Sequence, residues 1–341
     1  MSRTPLHPRR WKPPKRSRDE PIPPHLPPVN VIEVPGHGTE DVLVDGAGKV
    51  LTGTEDGKIY RIGYDGGVIE QVADTGGRPL GLEMAPDRSL IVCDARRGLL
   101  SIDIRGKGGG EVGGEPEVLV DRIDGVPMSF CNNAAVAADG TIYFTDTCAR
   151  FGVDDWMGEL LEHSRTGRLF RRTPEGDVEL LLDHLAFANG VALAADESFV
   201  AVAETAAYRI RRYWLTGERA GQHDLLVDNL PGFPDNMSTG SDGLLWAAIA
   251  APRDPMLDLM LPRAPVLRKV AWALPESLLP KEKRTVRVQA YDDAGTLVHD
   301  LNGTHDNFHM VTGVREHLGT VWVGSLREPA IAAIGPLAAT S

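Results

Sequence analysis

Four residues that offer only hard oxygen donors, Glu40, Asn132, Asn189 and Asp235, recur at one phase of a phrase repeated along this chain. Each stands eight positions before a turn residue: Gly48, Gly140, Glu197 and Gly243 respectively. The same count back from Arg88 reaches Leu80, and from Gly319 it reaches Val311, so two of the six repeats carry no such donor. Two carboxylates would offset the charge of a divalent cation, and two amide carbonyls would add neutral ligands. Calcium takes roughly six to eight oxygens, which leaves positions for water and substrate. No His or Cys stands at this phase, which argues against zinc, while magnesium or manganese fits the same donors. Taken singly, Asn189-Gly190 and Asp235-Asn236 read as turns, Asn132 as a loop cap and Glu40 as an exposed acid. The shared phase makes them a set. Asn133 is the alternative to Asn132, and the count favours Asn132.

Such a set converges only if each repeat places it on the same element. The clearest copy runs from Asn189-Gly190-Val191-Ala192-Leu193 through a turn into Phe199-Val200-Ala201-Val202. Asp56-Gly57, Asp139-Gly140 and Asp242-Gly243 supply hairpin chemistry between short runs of β-branched and aromatic residues. Repeats of roughly 40–55 residues with three or four short strands read as propeller blades. The expected fold is therefore all-β: a six-bladed β-propeller over residues 31–341, with an N-terminal extension over 1–30 and an insertion between the last two blades. In a propeller the first strand of every blade lines the central channel, so equal phase becomes convergence on one point. The segment from Val31 to Val34 is expected to pair with the last blade and close the ring. The insertion, at about 252–285, has apolar residues at helix-like spacing broken by Pro262, Pro265, Pro275 and Pro280. It reads as either a packed cover on a blade edge or a lid over the channel mouth.

With 341 residues the chain can bury a large core. Its net charge of -12 argues against a nucleic-acid surface. The basic stretch from Arg9 to Arg16 lies among prolines and reads as an extended tail or wrap, with partner binding as the other reading. Three cysteines form no disulfide framework, although one Cys131–Cys148 bridge is compatible with the sequence. No leader-like apolar segment and no run long enough to span a bilayer is present, so the expected location is the cytoplasm. Oligomeric state is not legible.

At these residues the chain resembles the strictosidine-synthase-like family, within the wider group of senescence-marker/gluconolactonase and paraoxonase propellers. The resemblance rests on Gly38-Thr39-Glu40-Asp41-Val42, on Asn132-Asn133 with Ile142 to Asp146, and on Gly167 to Arg171. Its most specific part is Phe187-Ala188-Asn189-Gly190-Val191, with Glu204-Thr205, Arg212-Tyr213-Trp214-Leu215 and Pro234-Asp235-Asn236. The resemblance implies one calcium in the channel, held by Glu40, Asn132, Asn189 and Asp235, and hydrolysis of small esters or lactones. It also implies that Asp235 takes the proton of the attacking water. A histidine would do this better near neutral pH, and His37, His184, His305 and His309 lie near expected strand ends. His309 is carried with Asp235 as a catalytic candidate. Two departures count. The last blade reads Val311-Thr312-Gly313 where the plant synthase has a catalytic glutamate, which speaks against a condensing lyase. Leu80 stands where paraoxonases place a histidine. No Gly-x-Ser-x-Gly elbow supports a serine hydrolase. The alternative reading is a non-catalytic propeller whose metal only stabilises a ligand-binding channel.

Overall fold

A computed structural model of the chain describes residues 3–16, 24–105, 113–263, 265–274 and 283–337. Parts of the N-terminal extension and of the insertion, including Pro275 and Pro280, lie outside the described residues.

Six four-stranded antiparallel sheets follow one another around an axis. Their innermost strands are Val42–Val44, Pro79–Met84, Cys131–Val136, Ala188–Leu193, Gly232–Thr239 and Val311–His317. The sixth blade takes its outermost strand from the N-terminal end of the fold. Val29–Glu33 pairs antiparallel with Ala330–Ile334, Val31 opposite Ala332, which removes the open edge a linear array of blades would leave. The blades bury β-branched and aromatic residues between their faces, with Phe144, Phe170, Phe199, Trp246 and Trp322 almost wholly enclosed. All three cysteines are buried and free, so no Cys131–Cys148 bridge forms.

The six turn residues of the repeat share a backbone state. Gly48, Arg88, Gly140, Glu197, Gly243 and Gly319 all have φ between 56° and 89°, the left-handed region that a tight hairpin requires. That common conformation makes the count back from the turn physically meaningful, but the count fails in blade six. There His317 pairs directly with Thr320, so Leu318 and Gly319, both at positive φ, form a two-residue hairpin one residue shorter than its counterparts. The residue in phase with Glu40 is therefore Thr312, not Val311. Blade four has an extra residue, but it follows Glu197, so the count to Asn189 survives.

The insertion lies inside blade five, between Leu245–Pro252 and Val286–Tyr291, rather than between the last two blades as expected, because the strand after it completes blade five. It forms two short helices, α2 (Pro255–Met260) and α3 (Pro265–Ala273), beside a helix of blade three, α1 (Trp156–Glu162). The helix-like apolar spacing of Trp156, Met157, Leu160 and Leu161 carries the signal for α1, a helix that strand periodicity does not reveal. Asp254 caps α2, accepting from the Met256 and Leu257 N–H groups.

Residues 3–16 run as a strap across these helices. Leu6 is buried against Cys148, Phe151, Leu161 and Trp272. The Trp272 Nε1–H donates to Thr4 O at 2.9 Å. Arg268 is fully buried and donates to Leu161 O and Arg9 O, both at 2.8 Å. Trp11 stacks on His163 with ring centroids 4.5 Å apart.

His163 is buried in a left-handed position after α1. Burial, with help from the Arg165 charge, pushes its imidazole down to about 3. The unfolded chain therefore takes up a proton that the fold refuses below the ordinary histidine pKa. This contribution to stability is full above about pH 6.5 and is lost as pH falls toward 3, by up to about 1.4 kcal/mol per pH unit. Glu159, whose carboxyl burial raises to about 7, acts with the opposite sign between its unfolded value of about 4.5 and that point. The readout is therefore a difference: urea midpoints of wild type and His163→Asn, a residue tolerant of the left-handed state, measured at pH 7.5 and 5. The gap between the two should shift toward the variant on acidification, and a constant gap would refute the assignment.

Candidate metal centre and chamber

A bulge at the same place in each of five inner strands aims the ring residues. Between Cys131 and Ala134 the inner strand advances three residues while its partner advances two, from Asp146 to Phe144. The same shift occurs at Leu80-Gly81, Asn189-Gly190, Asp235-Asn236 and Thr312-Gly313. A bulge bends its strand and redirects a side chain. In blade one Glu40 precedes the strand, and Thr39 beside it bridges to Ser325 of blade six.

A bulge also leaves ladder N–H groups needing acceptors, and the second residue of the bulge answers this in alternate blades. Asp41 Oδ2 accepts from Leu82 N at 3.0 Å in blade two. Asn133 Oδ1 accepts from Val191 N at 2.7 Å in blade four. Asn236 stands at the same place in blade five and is buried, but its side-chain oxygen and nitrogen have no hydrogen-bond partner. In even blades the second residue is glycine, and each glycine lies against its neighbour's backbone. A Cβ on Gly81 would stand 2.6 Å from Asn133 Cα, and one on Gly313 would stand 2.6 Å from Asp41 Cα.

Glu40, Asn132, Asn189 and Asp235 all line the floor of one chamber. Each has a buried side-chain oxygen with no hydrogen-bond partner: Glu40 Oε2, Asn132 Oδ1, Asn189 Oδ1 and Asp235 Oδ1. The amide orientations are set from outside the ring. Asn132 Nδ2 donates to Thr147 Oγ1 at 2.8 Å, and Asn189 Nδ2 donates to Thr205 Oγ1 at 3.1 Å. The Thr205 hydroxyl is itself committed to Pro234 O at 2.6 Å. Both carbonyl oxygens are thus left for another partner. Burial raises the Glu40 carboxyl to about 7, against the pull of Arg78. Burial and then the Glu40 charge hold Asp235 well above the ordinary carboxylate range. Four orphaned oxygens and two carboxylates that resist ionising together are what a divalent-cation site presents without its ion. The donor set fits calcium. Among the described residues no cluster of three His, Cys, Asp or Glu side chains is present, because two of these four donors are amides.

Blades two and six complete the ring differently. Leu80 is buried against Phe130 and Phe187 and turns an apolar face to the chamber. Thr312 Oγ1 donates to Glu40 O at 2.8 Å and braces the Glu40 backbone.

Above the floor the chamber encloses about 610 Å³. Its wall is apolar, with Phe130, Phe187, Phe233 and Met310 from the blades and Leu160, Leu257 and Met260 from the helices. The insertion is thus a lid. None of the four histidine candidates lines this chamber. His309 Nδ1 is held by Glu328, which also takes a 3.1 Å contact from Arg284. Met310 stands in the wall beside it. His184 is exposed and pairs with Asp183 at 3.5 Å.

The fold and the floor of this chamber define a six-bladed propeller with an oxygen-only ring at the head of its channel. Residues 132–218 match the strictosidine synthase family model, and residues 26–62 match the N-terminal model of strictosidine synthase-like proteins. Adipocyte plasma membrane-associated protein of Bos taurus is 36% identical over 307 residues, covering 82% of this chain and 72% of that protein. The chain belongs to the strictosidine synthase-like family. Among solved structures, a gluconolactonase from Xanthomonas campestris superposes with TM-score 0.64 at 16% identity, covering 95% of this chain and 98% of that one. Regucalcin from Agrobacterium tumefaciens, a calcium-binding protein, superposes with TM-score 0.60 at 14% identity, covering 92% and 94%. These structural likenesses establish the propeller fold. No described helix is long and apolar enough to cross a membrane.

Proposed function

We propose that this protein is a divalent-cation-dependent hydrolase of carboxylic esters or lactones, with calcium as the ion and an apolar acyl or aryl group as the substrate's main recognition element. The observation that carries this reading is the set of four orphaned oxygens on the floor of an apolar chamber. Gluconolactonase and calcium-binding relatives of the same fold support it by analogy. An ion held by Glu40, Asn132, Asn189 and Asp235 would supply Lewis-acid polarisation of the scissile carbonyl and charge for the developing oxyanion.

The chain's own residues do the rest. Thr147 and Thr205 keep the two amide oxygens turned inward. Asp235 is the ring member that is not fully buried, and since its Oδ1 is buried in the ring, its Oδ2 is the oxygen assigned to take a proton from water entering from the chamber. The apolar wall seats the acyl or aryl group and excludes bulk water. His309, behind Met310 rather than in the wall, has no direct part.

The test is hydrolysis of aryl esters, apolar lactones and a polyhydroxylated sugar lactone, in chelator and with calcium restored. The expected result is calcium-restored turnover of the apolar substrates and little of the sugar lactone. The absence of any histidine from the chamber's described lining favours a second reading, a metal-stabilised binding module. Calcium binding without turnover across the panel would select that reading. Condensing lyase chemistry has no support, since among the described residues blade six offers the chamber Met310 and Leu326, neither of which carries an acid or base.

A further inference from the structure

Helix α3 is built inside out. Its charged Arg268 is fully buried and Trp272 nearly so, while Val266, Leu267 and Val270 are 71%, 56% and 53% exposed. A helix lying on a soluble protein normally shows the reverse pattern. Helix α2 continues the apolar surface with Leu259, 57% exposed. The two helices are joined by a turn in which Arg263 N donates to Met260 O at 3.1 Å. A grouping of large exposed apolar side chains on one element calls for an occupant.

The charge around the patch says which one. The strap and the lid, residues 3–16 and 253–274, hold ten Lys and Arg against two Asp, in a chain whose net charge is -12; eight of the ten are exposed, and Arg253 and Arg268 are buried. Arg3 lies over the Trp272 ring, Arg16 pairs with Asp258 of α2, and Arg263 and Lys269 are exposed on the lid itself. A second copy of the chain would bring two such cationic faces together, which is unfavourable. We propose that the outer face of the lid is a docking surface for a lipid bilayer bearing anionic headgroups. Val266, Leu267 and Val270 enter the headgroup boundary, and Arg10, Lys12 and Lys269 meet the headgroup charge. The inference stands independently of the hydrolase reading, because it concerns the opposite face of the lid from the chamber.

The experiment is cosedimentation of the full chain with phosphatidylcholine vesicles, with and without phosphatidylserine. The variants are Val266→Glu/Val270→Glu and Arg10→Glu/Lys12→Glu. Wild type is expected to bind the phosphatidylserine vesicles, and added salt to weaken that binding. Each double variant should bind at least about tenfold more weakly. Both substitute exposed side chains, so their melting temperatures should match wild type. If Val266→Glu/Val270→Glu melts early, the charge variant alone decides. The proposal is overturned by no binding to phosphatidylserine vesicles, or by equal binding to phosphatidylcholine alone. It is also overturned by a wild-type dimer in the ultracentrifuge that Val266→Glu/Val270→Glu makes monomeric, with no vesicle binding by either.

Discussion

Asn189→Ala is expected to abolish cation binding while leaving the propeller folded. The substitution removes one of two neutral oxygens from the ring and strips Thr205 of its Asn189 contact, but Thr205 keeps its bond to Pro234 O. Loss of one ligand from a set of four protein donors should weaken the ion by at least about 100-fold. At a calcium concentration about 100 times the wild-type Kd, the wild type gains about 2.7 kcal/mol of stability from the ion, and a variant bound 100-fold more weakly gains about 0.4 kcal/mol. Calorimetry with and without calcium reads this difference directly, without reference to any substrate. Turnover should fall by a similar factor of about 100 or more. Asn189→Asp separates geometry from charge: it restores an oxygen but adds a third buried carboxylate beside Glu40 and Asp235. That variant should be less stable than wild type in chelator and gain more from calcium. An Asn189→Ala protein with a full calcium-induced shift in Tm would remove this residue from the ring.

Gly190→Ala should be severely damaging for a single methyl, and it strikes the ring directly. A Cβ there would lie 2.6 Å from Asn236 C, and closer still to Met237 N and Asp235 O. These are backbone atoms of the next blade, so no rotamer change relieves the overlap. Blades four and five would have to separate, and the ring depends on their approach, because Asn189 and Asp235 sit on either side of it. The expected cost is about 3 kcal/mol or more, with loss of the calcium-induced shift even in protein that folds. Gly46→Ala is the control, since a Cβ there meets nothing within 4 Å, and it should change stability by no more than about 0.5 kcal/mol. Wild-type melting and calcium binding by Gly190→Ala would show that the blades are not held at this distance.

Much of this site was legible because hairpin chemistry sets a ruler. A left-handed residue closes each inner hairpin, and the distance from it back to the ring position is constant in five of six blades. Glu40, Asn132, Asn189 and Asp235 therefore share a count in the sequence as well as a wall in the structure. The ruler slipped in blade six, where the Leu318-Gly319 turn is one residue short. Turn length is decided by how two strands twist together, and the local residues left the shorter loop unmarked. The histidines failed for another reason. His309 and His184 lie near strand ends as expected, but whether a strand end faces the axis depends on the loops beyond it.

The sequence alone determined the propeller, its closure by the N-terminal strand and the oxygen-only character of the ring. All three follow from period, turn residues and side-chain chemistry, which are local properties. Tertiary structure decided the rest. It turned the two amide oxygens inward through Thr147 and Thr205, and it made the insertion a lid. It also laid the basic strap across that lid and left the apolar side of α3 facing out, because packing of Arg268 and Trp272 against residues far away in the chain fixes the helix's rotation.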